Sequence, residues 1–302
     1  MSKSLGKWSA IKKKLVTLYS SNPQRTDMVS IDLKPLSVTA GIAVTIKLSK
    51  TKQVKITLIT CTYNAESVLQ RTLDSVLRQP YADIEHIIID GASSDSTVAI
   101  AEKYKAQSDK MQNGHAITIL SEPDNGLYDA MNKGIGMATG AYLCFLNAGD
   151  MLTDDAIRKF PSGRSVVYGE TDIVDDNGNF LRHRRLQAPE KLTWRSFRNG
   201  MLVCHQAFYA NTELAKCTPY NLKYRISGDV DWCIRIMKEG EKRGMTTWNT
   251  HRVLCRYLAG GMSVKNHRAS LLERFHTMRE HYGIVTTVAM HAWFVIRGFI
   301  KK

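Results

Sequence analysis

Apolar residues recur along this chain in more than one rhythm. Near the start, Leu5, Trp8, Ile11, Leu15 and Leu18 fall at helical spacing with lysines between them, which predicts a basic amphipathic helix. Residues 21–37 carry Pro23 and Pro35 and read as a linker. Over 38–48 the period drops to two: Val38, Ala40, Ile42, Val44, Ile46 and Leu48 alternate with Thr39, Gly41, Ala43, Thr45 and Lys47. That pattern predicts a strand, with no partner evident from the sequence.

From residue 54 short apolar runs alternate with helical patterns. The spacing predicts strands over 55–60, 84–89, 117–120 and 142–146, and helices over 66–79, 94–107 and 127–137. In the first helix Val68, Leu69, Leu73, Val76 and Leu77 face inward. Strand–helix repetition of this kind predicts a mostly parallel sheet with helices on both faces. Beyond residue 150 the pattern changes to a strand over 165–174, a turn at Asp175-Asp176-Asn177-Gly178 and a return through Phe180 and Leu181, a hairpin. Helices over 229–238 and 270–282 and an apolar, helix-periodic end complete the chain. The expected organisation is a basic extension at 1–53, an α/β domain at 54–261 with halves 54–150 and 151–261, and a helical tail at 262–302 that could contact a membrane.

Composition narrows the class. At 302 residues with 43% hydrophobic and 23% charged side chains, the chain has ample material for a core and is neither disordered nor fibrous. The net charge of +14 is unevenly placed. Residues 1–53 hold ten Lys/Arg against two Asp, 262–302 hold seven against two Glu, and 54–261 hold 25 against 24. A nearly neutral middle argues against a nucleic-acid partner, whose reader carries its basic stripe on the folded face. Basic ends beside apolar helical patterns suit a peripheral site on an anionic membrane surface. Lys12, Lys13 and Lys14 interrupt the apolar start, so no secretory signal is expected. The 284–300 segment contains His291 and Arg297, so no spanning helix is expected either. Six Cys without a Cys-x-x-Cys pair predict free thiols in a reducing, cytoplasmic setting.

In an open α/β sheet, ligands sit beyond the carboxyl ends of the strands. Here those ends read Thr60-Cys61-Thr62-Tyr63-Asn64, Asp90-Gly91-Ala92-Ser93-Ser94-Asp95, Ser121-Glu122-Pro123-Asp124-Asn125-Gly126 and Asn147-Ala148-Gly149-Asp150. The mouth is acidic and lacks a Walker loop, so a diphosphate could bind there only with a divalent cation between. Gly134-x-Gly136 follows a helix and has the wrong spacing for a dinucleotide fingerprint, and His276 to Glu280-His281 has one residue too many for a metal motif. His183-Arg184-Arg185 reads as a solvated basic turn.

From 54 to about 261 the chain resembles inverting glycosyltransferases of the large nucleotide-sugar family (family 2) with the GT-A fold. It is similar in particular to the colanic-acid, exopolysaccharide and capsule branch. The resemblance rests on ITLITCTYNA, LQRTLDSVLRQ, IIIDGASSDST, SEPDNGLYDAMNKGI, YLCFLNAGDML, VYGETDI, CHQAFY and ISGDVDWCIRI, eight runs in the family's order over two thirds of the chain. It implies an α/β GT-A fold with a hairpin-containing acceptor half, and a nucleotide-sugar donor, UDP-linked by preference. It also implies a lipid-linked saccharide acceptor, inversion at the sugar, and Mg²⁺ or Mn²⁺ as cofactor, at the inner face of the cell membrane.

By the same resemblance Thr62, Tyr63, Asn64 and Glu66 line the nucleotide, and Asp90 accepts from the base or serves as a turn residue. Asp124, Asn132 and Asn147 face the ribose or donor sugar, His205 and Gln206 lie on the acceptor side, and Asp150 touches the cation. Ser93 and Asp95 read as N-caps. Asp229 is the expected general base, at a helix start where the macrodipole favours negative charge, with Asp231 as the substitute and a plain N-cap as the simpler role. The Asn147-x-Gly149-Asp150 run departs from the family's usual Asp-x-Asp-Asp, which keeps open a catalytically weak domain that only binds a nucleotide sugar or a partner.

Overall fold

The computed structural model describes residues 27–35, 42–50, 54–260 and 266–300, so the amphipathic helix expected over 5–18 lies outside the described residues. The chain divides into two units, 1–53 and 54–302. In the first, β1 (Asp27–Pro35) and β2 (Ile42–Lys50) pair antiparallel, with Val29 opposite Leu48 and Leu33 opposite Val44. The linker expected at 21–37 is therefore corrected. Val29, Ile31 and Leu33 alternate with Ser30, Asp32 and Lys34, the same period as in β2, and Pro35 stands at the strand's end, where a missing N–H costs no internal ladder bond.

The second unit is built on a nine-stranded mixed sheet. Its strands are β3 (Ile56–Thr62), β4 (Ile84–Asp90), β5 (Ala116–Ser121), β6 (Tyr142–Phe145), β7 (Met151–Leu152), β8 (Val166–Val174), β9 (Phe180–His183), β10 (Phe208–Asn211) and β11 (Thr247–Leu258). They run in the order β5-β4-β3-β6-β10-β8-β11-β7, with β9 on β8. The first four are parallel, as the strand–helix rhythm predicts. After β6 the sheet departs from that expectation: β10 is antiparallel to both neighbours, β11 is parallel to β8, and β7 and β9 are antiparallel.

Helices α1 (Glu66–Leu77), α2 (Thr97–Met111) and α3 (Leu127–Met137) connect the parallel strands. Leu69, Leu73, Ala101 and Tyr104 cover one face of the sheet with Ile88, while Met131 and Ile135 join the larger core on Ile59, Ile87 and Phe145. With both faces covered, β4 is buried along its whole length, including Glu85 and His86. His86 meets Thr60 Oγ1 and Tyr104 Oη at 2.9 Å each, and burial pushes its pKa down to about 3, so it stays neutral.

Glu85 is charged instead. Burial opposes its ionisation, but Thr139 Oγ1 and N–H, Thr57 Oγ1 and Lys55 Nζ donate to it and hold its pKa below the usual value. A depressed carboxylate stabilises the fold above its unfolded pKa and loses that contribution as pH falls through the folded one. Wild type therefore loses stability more steeply than Glu85→Gln as pH falls from neutrality to below the ordinary glutamate range. Urea midpoints measured across that window check it.

The C-terminal helices belong to the same unit, which corrects the separate tail expected at 262–302. Helices α4 (Thr212–Cys217), α5 (Gly228–Lys242), α6 (His267–Tyr282) and α7 (Ile284–Ile300) complete the fold. Glu273 of α6 accepts from the backbone N–H groups of Arg225, Ile226 and Ser227 at 2.7–2.9 Å, capping α5 in trans. Ser270 meets Ser227, Glu280 meets Lys223 and His281 meets Asp231.

Candidate active site

The site follows from strand order. Because β10 runs antiparallel beside β6, the start of β10 meets the end of β6. The short 3-10 turn His205–Ala207 that enters β10 thus reaches the loop after β6, which holds Asn147 and Asp150. Asn147 Nδ2 lies 3.1 Å from His205 Nε2, and Gln206 Nε2 donates to Asp150 Oδ2 at 2.7 Å. Two motifs some sixty positions apart are stitched together by adjacent strands.

The loop shape requires its glycine. Gly149 has φ +98, and a Cβ there would lie 2.8 Å from Leu258 Cδ2. Its N–H donates to Thr72 Oγ1 of α1, while Leu258 N–H, at the end of β11, donates to Asp150 Oδ1. Asp150 is buried, and burial pushes its pKa up to about 6 against the opposing bonds from Leu258 and Gln206.

At the other wall α5 begins. Its N-cap is Ser227, whose N–H donates to Glu273, and Asp229 stands one residue inside the first turn. Asp229 Oδ1 accepts from Val230 N–H, and Oδ2 lies 3.4 Å from His205 Nδ1. With Nε2 accepting from Asn147, a neutral His205 ring carries its proton on Nδ1, aimed at Asp229. The Asp229 side chain keeps 23% exposure, whereas Asp231 keeps 3%. Burial works against Asp231, but His281 and Arg235 outweigh it and hold its pKa low. Asp231 is a locked ion pair, which removes it as the substitute base.

The predicted nucleotide-lining residues form a second, connected cluster at the ends of β3 and β4. Asp90 accepts from Thr62 Oγ1, Ser93 N–H, Ser93 Oγ and Ser121 Oγ. These bonds outweigh burial and hold its pKa below the usual range, and they fill the four acceptor positions of the carboxylate. Asn64 accepts from Ser94 N–H and Glu66 from Ser96 N–H, so both brace the loop after β4. Tyr63 is 68% exposed. Ser93 turns to Asp90 and caps no helix, while Asp95 accepts from Thr97 N–H and Oγ1 at the start of α2.

Asp124 stands over Gly91, where a Cβ would lie 2.6 Å from Asp124 Oδ2. Four residues on, Tyr128 Oη accepts from Gly228 N–H at 2.8 Å, and Arg225 donates to Asn125 O. The 121–129 run is therefore the bridge from the Asp90 cluster to the start of α5. Asn132 does not face the donor as expected: both ends of its amide bind the backbone of Tyr220, at 3.0 and 2.7 Å.

Two arginines take roles that the sequence reading did not assign. Arg184, taken for part of a solvated turn, donates to the carbonyls of Leu186, Met201 and Leu202 and ties the 184–202 loop. Arg274 of α6 is half-buried, which lowers its pKa, while the charge of Asp229 opposes that shift. Backbone carbonyls and a helix 45 positions away leave no local signal for either role.

Among the described residues no three His, Cys, Asp or Glu side chains converge on a metal position. Each oxygen of Asp150 accepts one hydrogen bond and keeps a second lone pair, beside the Asn147 amide. That donor set fits an ion such as Mg²⁺, which takes one or two protein carboxylates and completes its shell with phosphate and water.

Residues 57–217 match the family model described as Glycosyl transferase family 2. The chain is 33% identical over 215 residues to a PGL/p-HBAD biosynthesis glycosyltransferase of Mycobacterium bovis, covering 68% of this chain and 78% of that one. It is 25% identical over 219 residues to the putative teichuronic acid biosynthesis glycosyltransferase TuaG of Bacillus subtilis, covering 70% and 82%. In fold it resembles S. aureus TarS in complex with UDP-GlcNAc, with TM-score 0.55 and 16% identity over 74% of this chain and 64% of that one. It also resembles the mannosyltransferase PcManGT of Pyrobaculum calidifontis in complex with GDP-Man and Mn²⁺, with TM-score 0.53 and 16% identity over 82% and 76%. The mixed α/β fold is thus GT-A-like, and the chain belongs to glycosyl transferase family 2.

Proposed function

We propose that this glycosyltransferase moves a sugar from a nucleoside-diphosphate donor, UDP-linked by preference, to a hydroxyl of a lipid-linked saccharide with inversion. The setting is bacterial surface-polysaccharide synthesis at the inner face of the cell membrane. The observation that supports it most is the contact chain Asn147–His205–Asp229 with Gln206–Asp150 beside it, which gathers the donor-side loop and one accessible carboxylate at one place.

In this scheme Asp229 takes the proton of the acceptor hydroxyl as its oxygen forms a bond to the anomeric carbon. The bond from that carbon to the diphosphate breaks on the opposite face, and the nucleoside diphosphate leaves with the electron pair. His205 orients Asp229, and Arg274 adds positive charge beside it. Tyr63, with its exposed ring, serves the base, Asp90 braces the loop beneath it in place of accepting from the base, and Asp124 serves the ribose or sugar. Asp150, with Asn147, would hold Mg²⁺ or Mn²⁺, whose chemistry is neutralisation of the diphosphate charge. Relatives named for PGL/p-HBAD and teichuronic acid biosynthesis support a surface glycan as the setting.

Donor hydrolysis tests the reading. Purified protein with Mn²⁺ and a panel of UDP- and GDP-sugars releases nucleotide from at least one UDP-sugar. Saturable binding with no release from any donor would leave the alternative, a catalytically weak binding subunit.

A further inference from the structure

Helix α7 turns its aliphatic residues outward. Successive residues on a helix are about 100° apart. At that spacing Ile284, Val285, Val288, Trp293, Val295 and Ile296 occupy one half of the circumference, and all six are exposed, Val285 by 81%. The only other exposed positions of the helix from 284 to 297 are alanines on the same half. The opposite half carries Thr286, Thr287, Met290, His291, Phe294 and Arg297, a mixed face with two apolar side chains among polar ones. Thr287 is fully buried and donates to Gly283 O, and the His291 ring lies against Phe275 of α6 at 5.1 Å. A helix on a water-soluble surface keeps its aliphatic residues inward.

The dimensions and chemistry of this face select its occupant. Seventeen residues make a helix about 25 Å long and about 10 Å wide, so its outer face offers on the order of 250 Å². A standard protein interface needs about 800 Å² from each partner and roughly one hydrogen bond per 100–200 Å². Here Trp293 alone supplies a side-chain donor, and no acidic residue occurs anywhere on the helix. The surrounding 262–302 segment carries seven basic residues against two acidic ones. Among the described residues no helix is long and apolar enough to cross a membrane.

We propose that α7 is an in-plane membrane anchor, lying along an anionic bilayer with its aliphatic half among the acyl chains and its basic flank at the headgroups. Its mixed half rests on α6, the helix that also carries Glu273 and Arg274 at the start of α5. The anchor is therefore one helix away from the base. That proximity would favour an acceptor presented from the bilayer, a corollary that rests on the proposed function, whereas the anchoring does not.

The test uses the full chain and co-sedimentation with phosphatidylcholine vesicles, with and without phosphatidylglycerol. Wild type partitions onto the anionic vesicles, and more weakly onto neutral ones or in high salt. The double variant Val288→Glu/Val295→Glu, both positions exposed, loses at least ten-fold in partitioning while keeping its urea midpoint and its vesicle-free donor hydrolysis. A milder pair, Val285→Ser/Ile296→Ser, falls between. Undiminished binding by the glutamate variant overturns the proposal, because the attachment then lies elsewhere in the chain. A wild-type dimer that the same variant converts to monomer, without wild-type vesicle binding, also overturns it. Donor hydrolysis is scored without lipid, so failure of the anchor and failure of the active-site reading are separate outcomes.

Discussion

Asp229→Asn lowers the turnover of sugar transfer by a factor of about 10³, within the range that loss of a general base costs, and leaves the donor KM within a few-fold. The amide is nearly the same shape. Its oxygen can still accept from Val230 N–H, so the start of α5 keeps its geometry. Lost is only the capacity to accept a proton at the oxygen that faces His205. No neighbour can take over: Asp231 is two residues on, but it is buried and held by Arg235 and His281. Steady-state transfer rates and the urea midpoint of the variant decide the matter together. A folded variant that transfers as fast as wild type places the base elsewhere.

Asp150→Asn raises the Mn²⁺ concentration needed for half-maximal transfer by at least about 100-fold, since even outer-shell changes cost 10–100-fold in metal affinity. The amide keeps the shape of the side chain but lacks the charge that holds a hard cation. The fold survives the change. The Asn oxygen can accept from Leu258 N–H, and its NH₂ can donate to Gln206 once that amide turns over. Asp150→Ala is less informative, because it leaves Leu258 N–H unpaired at a cost of about 1–3 kcal/mol. Metal titrations of transfer, run beside thermal unfolding of the same protein, separate the two effects. An unchanged metal requirement in a folded Asp150→Asn protein removes Asp150 as the cation's ligand.

The parallel half of the sheet was legible because each strand and helix there carries its own period. Strands β3 to β6 and helices α1 and α3 lie within a few residues of their expected places. The strand β1 was obscured by Pro23 and Pro35, although its alternation from Val29 to Leu33 was present in the sequence. Strand β7 is two residues long, too short for a period to register, β10 sits between a 3-10 turn and a helix with no repeat around it, and β11 carries bulges that break its alternation.

For the site, motif position named Asp150, His205, Gln206 and Asp229, which the structure brings into one contact chain, but it could not tell an open side chain from one consumed by the scaffold. Asn132 and Asp231 show the difference. Each sits in a matching motif, and each is spent on partners 88 and 50 positions away. The exposure of α7 is a similar case. Its aliphatic residues are plain in the sequence, yet only packing on α6 showed that they face outward.

The sequence by itself determined the α/β class, the strand ends that bear the chemistry and the residues that compete for each role, because local periodicity and motif order are written along the chain. Tertiary structure decided which carboxylate stays open, which histidine aims at it and which arginine approaches. Hydrogen-bond partners and burial are set by contacts between distant segments, and those exist only once the sheet has brought β10 beside β6 and α6 against α5.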